Sequence, residues 1–314
     1  MPTTSRGSRP MYFPAAPFAL ADVVKCAALV DIAYDQYSQW DAQGYPSKAN
    51  FNWVPQSKSF TYSAPLFWSY PWDFETYEEP FGFVAVDAGL NAYLVFRGTV
   101  SEADDIQDGL ADQTPYLIVP GYGQVHLGFY QIYQQLSPQI YAAIAGLNRT
   151  TPFKHFFVTG HSLGCGLSSL AVPDIIANTA VKPANLPVIH HNLASPRVGD
   201  SQYAYMMNNN GVPTYRIVNT EDIVPDAPTA IFFSYLYQHI GTPVDFTAQY
   251  NTIIDNHSLD TAYGYALANP ANPEGPLPLG HPLGLSRRPG VRMARDGRLR
   301  RLTRPPPEIT TSLS

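Results

Sequence analysis

The feature that most constrains the fold of this chain is the pentapeptide Gly160-His161-Ser162-Leu163-Gly164, which lies between two apolar segments. Residues 156–159 have the length of a buried strand, and residues 163–178 have the length of a helix. A serine at such a turn adopts a strained conformation that lifts its hydroxyl clear of the sheet, while the flanking glycines allow close packing. The pattern therefore predicts that Ser162 is a nucleophile at a helix N-terminus, where free N–H groups stabilise negative charge.

Strands and helices alternate through the middle of the chain. Helical spacing of apolar residues predicts a helix over 22–37, whereas the aromatic, proline-rich and aperiodic stretch 41–79 is predicted to be an elaborated loop. The other predicted elements are strands at 81–86, 92–96, 156–159, 188–193 and 215–218 and helices at 130–145, 163–178 and 202–208. This alternation favours a single α/β domain with a mostly parallel central sheet covered by helices.

A serine nucleophile requires a base, and histidine is suited to that role because it titrates near neutrality. His190 and His191 fall inside a predicted strand, so we expect them to be structural. The choice then lies between His239 and His257. His257 is favoured because it stands where a loop enters a predicted helix, a place where catalytic groups often lie.

An acid must hold the tautomer of that histidine. Three candidates, Glu221, Asp222 and Asp226, follow the predicted strand 215–218. The carboxyl ends of strands are where α/β active sites collect, so any of the three fits the required place.

Six short segments of the chain follow one another in a characteristic order. They are Tyr93–Thr99 (YLVFRGT), Val125–Phe129 (VHLGF), Gly160–Gly164 (GHSLG), Ser195–Gly199 (SPRVG), Asp222–Pro225 (DIVP) and Asn256–Leu259 (NHSL). From about residue 20 to residue 265 the chain thereby resembles the class 3 lipases. The resemblance implies an α/β-hydrolase fold and a catalytic triad made of Ser162, Asp222 and His257.

The resemblance also implies an oxyanion hole. One donor is expected to be the backbone N–H of Leu163, because that residue follows the nucleophile. The second is expected from Thr99, which ends the segment Phe96-Arg97-Gly98-Thr99 after an early strand. Arg97 itself is predicted to form a structural ion pair.

The expected activity is hydrolysis of carboxylic esters, first of all triacylglycerols, through an acyl–Ser162 intermediate. A phospholipase A1 and an aromatic, feruloyl-type esterase are alternatives on the same fold, and a catalytically inactive binding protein is an alternative of another class. No cofactor and no metal are predicted, since the adjacent pair His190-His191 is not a useful ligand spacing.

The stretch 101–112 corresponds to the helical lid of class 3 lipases. It contains only four apolar residues, Ala103, Ile106, Leu110 and Ala111, against the five acids Glu102, Asp104, Asp105, Asp108 and Asp112. A lid that opens onto lipid should present a wide apolar face. Transient lipid-surface contact and a fixed polar loop are therefore both open interpretations of this stretch.

The ends of the chain differ from its middle. Residues 1–18 are predicted to be a flexible arm, 19–268 the α/β-hydrolase domain, and 269–314 a disordered tail rich in proline and arginine. Residues 287–304 hold eight arginines, so that 11 basic and 23 acidic groups, a balance of −12, remain in residues 1–286. An acidic body argues against nucleic acid as a partner.

Composition leaves the location of the protein open. No stretch approaches the ~20 apolar residues of a membrane span. Arg6, Arg9 and the apolar residues 11–21 are similar to a signal peptide, but two prolines interrupt the apolar run. Cytoplasmic location, export by a non-standard route and secretion therefore all stay open, and the two cysteines, Cys26 and Cys165, are expected to be buried free thiols.

Overall fold

The computed structural model of the protein describes residues 8–72, 75–99, 111–149 and 152–276, together with the short segments 291–293 and 299–301. Most of the stretch predicted as a lid and most of the predicted tail lie outside the described residues. The helices are α1 (Leu20–Ala42), α2 (Leu127–Leu147), α3 (Leu163–Asn178), α4 (Ser201–Asn208), α5 (Ile253–His257) and α6 (Tyr265–Ala268), with a 3-10 turn at Val224–Asp226 and a π-helical turn at Leu259–Gly264.

Fourteen strands are described, and eight of them build the central sheet. The strands are β1 (Phe60–Tyr62), β2 (Leu66–Trp72), β3 (Glu75–Asp87), β4 (Asn91–Phe96), β5 (Gln113–Pro115), β6 (Gln124–His126), β7 (His155–His161), β8 (Val188–Leu193), β9 (Thr214–Asn219), β10 (Ile231–Phe232), β11 (Tyr235–Leu236), β12 (Thr242–Phe246), β13 (Val291–Met293) and β14 (Leu299–Arg301).

The central sheet has the order β1-β3-β4-β7-β8-β9-β12. Strand β1 pairs with the end of the long strand β3, and β2 pairs with its beginning. Strands β4, β7, β8, β9 and β12 run parallel, whereas β1, β2 and β3 add antiparallel pairs at one side. The predicted architecture, an α/β-hydrolase fold with a mostly parallel sheet between helices, is confirmed.

Alternation along the strands divides the core into two layers. In β4, Tyr93 and Val95 enter the cluster that contains the buried residues of α1, while Leu94 and Phe96 enter the cluster beneath α2 and α3. Successive side chains of a strand point to opposite faces, so each strand supplies both layers. Because both faces are covered, the strands consist almost wholly of buried residues, as in β7 and β8.

The prediction of a loop over 41–79 was wrong. This stretch contains β1, β2 and the start of β3. Pro71 in β2 obscured the strand pattern, since proline is tolerated only in edge strands or at bulges, and β2 pairs with β3 alone. The aromatic residues instead pack on the sheet, as Trp68 and Tyr70 do with ring centroids 4.3 Å apart.

Part of the segment predicted as a flexible arm is packed against the domain. Arg9 pairs with Thr247, and the side chain of Met11 is buried while its N–H donates to the carbonyl oxygen of Pro270 at 2.9 Å. The division of the chain at residues 18 and 268 stays a prediction. Cys26 and Cys165 are both buried free thiols. Within the described residues, no helix is both long enough and apolar enough to span a membrane.

Candidate active site

Ser162 occupies the tight turn between β7 and α3. Its φ of 57° and ψ of −126° lie in a region that non-glycine residues rarely adopt. The main chain is crowded there, since a Cβ on Gly160 would lie 2.3 Å from the carbonyl oxygen of Gly164, and one on Gly164 would lie 2.5 Å from that of Arg97. Only glycine fits at either position, so the turn is the strained strand-to-helix arrangement that the motif predicted.

Asp222 and His257 form a hydrogen-bonded pair. The distance from His257 Nδ1 to Asp222 Oδ2 is 2.8 Å, and the carboxylate is inaccessible while 12% of the histidine side chain is exposed. Asp222 also accepts hydrogen bonds from the hydroxyl of Tyr263 at 2.7 Å and from the N–H of Val224 at 3.0 Å. A carboxylate can only accept, so Nδ1 carries the proton and Nε2 is left with a free lone pair.

The turn that bears Ser162 contacts the segment that bears the candidate base. Nε2 of His161 lies 2.9 Å from the carbonyl oxygen of His257, and the two rings have centroids 4.7 Å apart. Ser162 follows β7 and Asp222 follows β9, so both lie at the carboxyl edge of the parallel strands. The structure therefore places the turn of Ser162 against the segment of His257, at the edge where α/β active sites occur, and the triad itself stays a prediction.

Two buried asparagines hold the segments around Asp222 and His257. Nδ2 of Asn219 donates to the carbonyl oxygens of Ala248 at 2.9 Å and Asn256 at 3.0 Å, and Oδ1 accepts from the N–H of Ala248 at 3.0 Å. The side chain of Asn256 in turn accepts from the N–H of Tyr250 at 2.7 Å and donates to the carbonyl oxygen of Glu221 at 3.1 Å. The main chain on both sides of the pair is thereby tied to one network.

The expected oxyanion donors belong to two segments next to the serine. Leu163 is the first residue of α3, where main-chain N–H groups have no partner within the helix. Thr99 follows Gly98, and a Cβ on Gly98 would lie only 2.8 Å from Cβ of Ser162. Arg97 is fully buried and paired with Glu79, while its Nη1 donates to the carbonyl oxygen of Gly98 at 2.6 Å. Arg97 therefore supports the loop as a structural ion pair, as the sequence predicted.

The other three histidines weighed from the sequence, His190, His191 and His239, do not join this group. His190 and His191 lie in β8, where burial lowers the pKa of His190 to about 3 and that of His191 to about 4. His190 is held by the hydroxyl of Ser168 at 2.9 Å. Burial, with Arg216 and Arg197 nearby, lowers the pKa of His239 to about 3. Rings that stay neutral to such low pH are structural.

Four residues that contact the site were not predicted from the sequence: Tyr34, His161, Asn256 and Tyr263. Tyr34 and Tyr263 occupy helical positions that are indistinguishable from ordinary core tyrosines. His161 and Asn256 carried one usable signal, because each immediately precedes a residue selected for the triad. Among the described residues, no group of three histidine, cysteine, aspartate or glutamate side chains is arranged to hold a metal ion.

The order of the sheet and the helices on its two faces are those of the α/β-hydrolase fold. Residues 93–232 match the family described as Lipase (class 3).

Curated relatives carry lipase names. A lipase from Rhizopus niveus is 33% identical over 182 residues, which are 57% of this chain and 43% of that protein. Secreted mono- and diacylglycerol lipase 1 from Fusarium solani is 28% identical over 48% of this chain and 43% of that protein. Phospholipase A1-II 3 from Oryza sativa subsp. indica is 33% identical over 48% of this chain and 42% of that protein. The chain thus spans less than half the length of these relatives.

A solved structure supports the fold over a longer stretch. The crystal structure of a lipase from Rhizopus microsporus var. chinensis is similar with a TM-score of 0.54, covering 78% of this chain and 84% of that chain at 23% identity.

Proposed function

We propose that the protein hydrolyses carboxylic esters of lipids, with Ser162 as nucleophile, His257 as general base and Asp222 as the acid that orients it. The observation that carries this proposal is the 2.8 Å contact between His257 Nδ1 and Asp222 Oδ2, beside the strained turn of Ser162. With Nδ1 committed to Asp222, Nε2 is available to take the proton of the serine hydroxyl.

The reaction proceeds in two halves. The Ser162 oxygen attacks the ester carbonyl as His257 takes its proton, and the resulting oxyanion is stabilised by the N–H of Leu163 and by Thr99. His257 then returns the proton to the leaving alcohol, which leaves an acyl group on Ser162. Water, activated by the same histidine, releases the acid. The buried carboxylate of Asp222, held by Tyr263 and Val224, stabilises the imidazolium in both halves.

Replacing the nucleophile tests the proposal. Ser162→Ala should lower kcat on a soluble nitrophenyl ester by at least about a thousandfold, because no other group forms the acyl intermediate. Ser201→Ala is the matched control, since Ser201 is exposed at the start of α4. A fluorophosphonate probe should label the wild-type protein and the control but not Ser162→Ala. Wild-type protein that neither reacts with the probe nor hydrolyses esters would instead favour the catalytically inactive binding protein.

Acylglycerols are the substrates we propose first, since two of the relatives above are named as a lipase and a mono- and diacylglycerol lipase. The name of the Oryza relative favours a phospholipase A1 as the second candidate. Rates on emulsified triglyceride, diacyl phospholipid, feruloyl ester and a chain-length series of nitrophenyl esters separate the candidates. Preference for the phospholipid or the aromatic ester would displace the acylglycerol assignment.

Contact with a lipid surface is the second part of the proposal, and two places can make it. The stretch 101–112 is the place that the sequence suggested, and its residues 101–110 lie outside the described residues. The hairpin β10–β11 is the other, since it exposes Ile231, Phe233 and Leu236 by 70%, 88% and 58%. No charged residue occurs between Ala227 and Gln238, so an uncharged lipid surface suits the hairpin better than an anionic one.

The hairpin adjoins the end of the expected lid and the residue that follows it. The carbonyl oxygen of Leu236 accepts from Nε2 of Gln113 at 2.8 Å, and the hydroxyl of Tyr237 donates to the carbonyl oxygen of Ala111 at 2.9 Å. Phe233→Ser should weaken binding to a triglyceride emulsion about tenfold, the worth of one buried phenylalanine, without changing the rate on a soluble ester. Tyr205→Ser is the control, because Tyr205 is also exposed but lies on α4. Equal binding by both variants would remove the hairpin from the proposal.

Secretion is the location we propose to test first. The name of the Fusarium relative describes it as secreted, which supports this choice. Antibody detection of the protein in culture medium against a cell extract decides between export and retention.

A further inference from the structure

Four groups form a chain of hydrogen bonds that runs past the candidate nucleophile. The N–H of Gly98 donates to the hydroxyl of Tyr34 at 3.0 Å, and this hydroxyl lies 2.8 Å from Nδ1 of His161. Nε2 of the same ring lies 2.9 Å from the carbonyl oxygen of His257. We call these contacts the bridging chain, because they connect the oxyanion loop with the main chain of the candidate base.

The bonds of the bridging chain all run in one direction. The carbonyl oxygen of His257 can only accept, so Nε2 of His161 carries a proton. Burial, together with the neighbouring His257, holds the pKa of His161 well below its ordinary value, and the ring is therefore neutral. Nδ1 must then accept from the hydroxyl of Tyr34, whose oxygen accepts from Gly98. Each group uses its donor or acceptor once, an arrangement in which successive bonds strengthen one another.

Both ends of the bridging chain are next to groups that the reaction uses. Gly98 immediately precedes Thr99, and a Cβ on Gly98 would lie 2.5 Å from the hydroxyl oxygen of Tyr34 and 2.8 Å from Cβ of Ser162. The main chain of the loop is thus packed directly between the tyrosine and the nucleophile. At the other end, the bonded carbonyl belongs to the candidate base itself.

We propose that Tyr34 and His161 are positioning residues that fix the oxyanion loop and the candidate base on either side of Ser162. They act through the main chain of Gly98 and His257 and touch neither the ester nor the reacting atoms. The proposal rests on the ester hydrolysis proposed above. Misplacement of catalytic groups by about 1 Å costs on the order of a hundredfold in rate, so a hydrogen-bonded brace at this place has a direct effect on kcat.

Tyr34→Phe tests the proposal because it removes one hydroxyl and leaves the ring in place. We expect kcat on a soluble nitrophenyl ester to fall about ten- to a hundredfold, while KM stays within about twofold, since the loss concerns the transition state. Inhibition by an alkylboronic acid, which forms a tetrahedral adduct with a serine, should weaken by a similar factor.

Tyr203→Phe is the matched control for the loss of a buried hydroxyl. The hydroxyl of Tyr203 donates to the carbonyl oxygen of Ser169 at 2.8 Å, in the core beneath α3. This variant should lose thermal stability to a similar extent and keep its kcat. If Tyr34→Phe keeps kcat and boronate inhibition as the control does, the two residues are merely structural and the proposal is overturned.

The histidine supplies a second test that remains decisive if Tyr34→Phe folds poorly. His161→Gln retains an amide N–H that can reach the carbonyl oxygen of His257, whereas His161→Ala retains no donor. Glutamine should therefore recover part of the kcat that alanine loses, and the double variant with Tyr34→Phe should lose less than the product of the two single losses. Independent, multiplicative losses would contradict a shared bridging chain. Because wild-type activity and Ser162→Ala are measured alongside, failure of the ester hydrolase assignment is distinguishable from failure of the positioning role.

Discussion

The turn that bears Ser162 and the segments that bear Asp222 and His257 meet at one edge of the sheet, yet they are held by different forces. The turn, residues 160–164, is fixed by main-chain crowding, because a Cβ on Gly160 or Gly164 would overlap backbone atoms. The acid–base segments, residues 219–226 and 248–263, are fixed by side-chain hydrogen bonds, above all those of Asn219 and Asn256.

The two regions also differ in how far apart in the sequence their contacting residues lie. Gly160 is crowded by Gly164, four positions along the same motif, so this part of the turn is encoded where it is formed. The bonds of Asn219 reach residues 29 and 37 positions away, and the bond from Tyr263 to Asp222 spans 41 positions. Substitutions in the turn should therefore destabilise the protein through steric overlap. Substitutions in the acid–base segments should destabilise it by leaving buried polar groups unpaired.

The turn should show the largest effect. Gly164→Ala places a Cβ 2.5 Å from the carbonyl oxygen of Arg97 and 2.7 Å from that of Phe96, which are main-chain atoms at the end of β4 and directly after it. We expect a loss of about 3 kcal/mol or more in the free energy of unfolding, measured by urea denaturation, together with loss of ester hydrolysis.

Gly146→Ala is the matched control for this substitution. Gly146 lies near the end of α2, and a Cβ there would meet nothing within 4 Å. Alanine should stabilise that helix by roughly 0.5–1 kcal/mol. A Gly164→Ala variant as stable as this control would show that the turn is not governed by main-chain crowding.

The acid–base segments should show a smaller loss of stability, together with a smaller loss of rate that is intrinsic to the folded protein. Asn219→Ala leaves the carbonyl oxygen of Asn256 and both polar main-chain groups of Ala248 without the bonds that the amide supplies. We expect about 2 kcal/mol less stability and a kcat reduced roughly tenfold, since an unpaired buried polar group costs about 1–3 kcal/mol. Asn209→Ala, at the exposed end of α4, should change neither quantity. If kcat falls only in proportion to the fraction of protein that is unfolded, Asn219 does not help to position His257.

The same difference explains how much the sequence could predict. Helix α3 and strand β8 have the bounds that periodicity indicated, and Ser162 stands where the motif placed it. Local pattern favoured His257 over His239, but it could not choose among the acids after β9. That choice needed the family resemblance, because the contact that distinguishes Asp222 joins residues 35 positions apart.

Tertiary contacts also account for what was missed. Strands β1 and β2 form because they pair with β3 and their aromatic residues pack on it. No alternation of apolar and polar residues within this stretch predicts that pairing. Tyr34 contacts Gly98 and His161 only through the fold, 64 and 127 positions away. A helix that presents a buried face contains several equivalent tyrosines, and the sequence alone gives none of them a hydroxyl partner.

The loss of one titrating histidine from the side of the turn should have the smallest effect. Burial lowers the pKa of His190 to about 3 and of His191 to about 4, both in β8 beside the strand that carries Ser162. Below the ordinary histidine pKa of about 6.5, these histidines bind protons in the unfolded chain but stay neutral in the folded chain. The free energy of unfolding therefore falls as the pH decreases from about 6.5 towards 4. Above that window both states are neutral and this contribution vanishes.

His191 allows the effect to be isolated. Its ring is stacked between Phe157 and Tyr215, and among the described residues neither ring nitrogen has a hydrogen-bond partner. His191→Phe removes the titrating group and retains an aromatic ring, so the variant should gain about 1–2 kcal/mol over wild type on going from pH 8 to pH 5. Urea denaturation at both pH values measures this change, and the difference at pH 8 reports packing alone. An equal difference at both values would mean that the folded protein protonates His191 as readily as the unfolded chain does, and that acid sensitivity has its origin outside this strand.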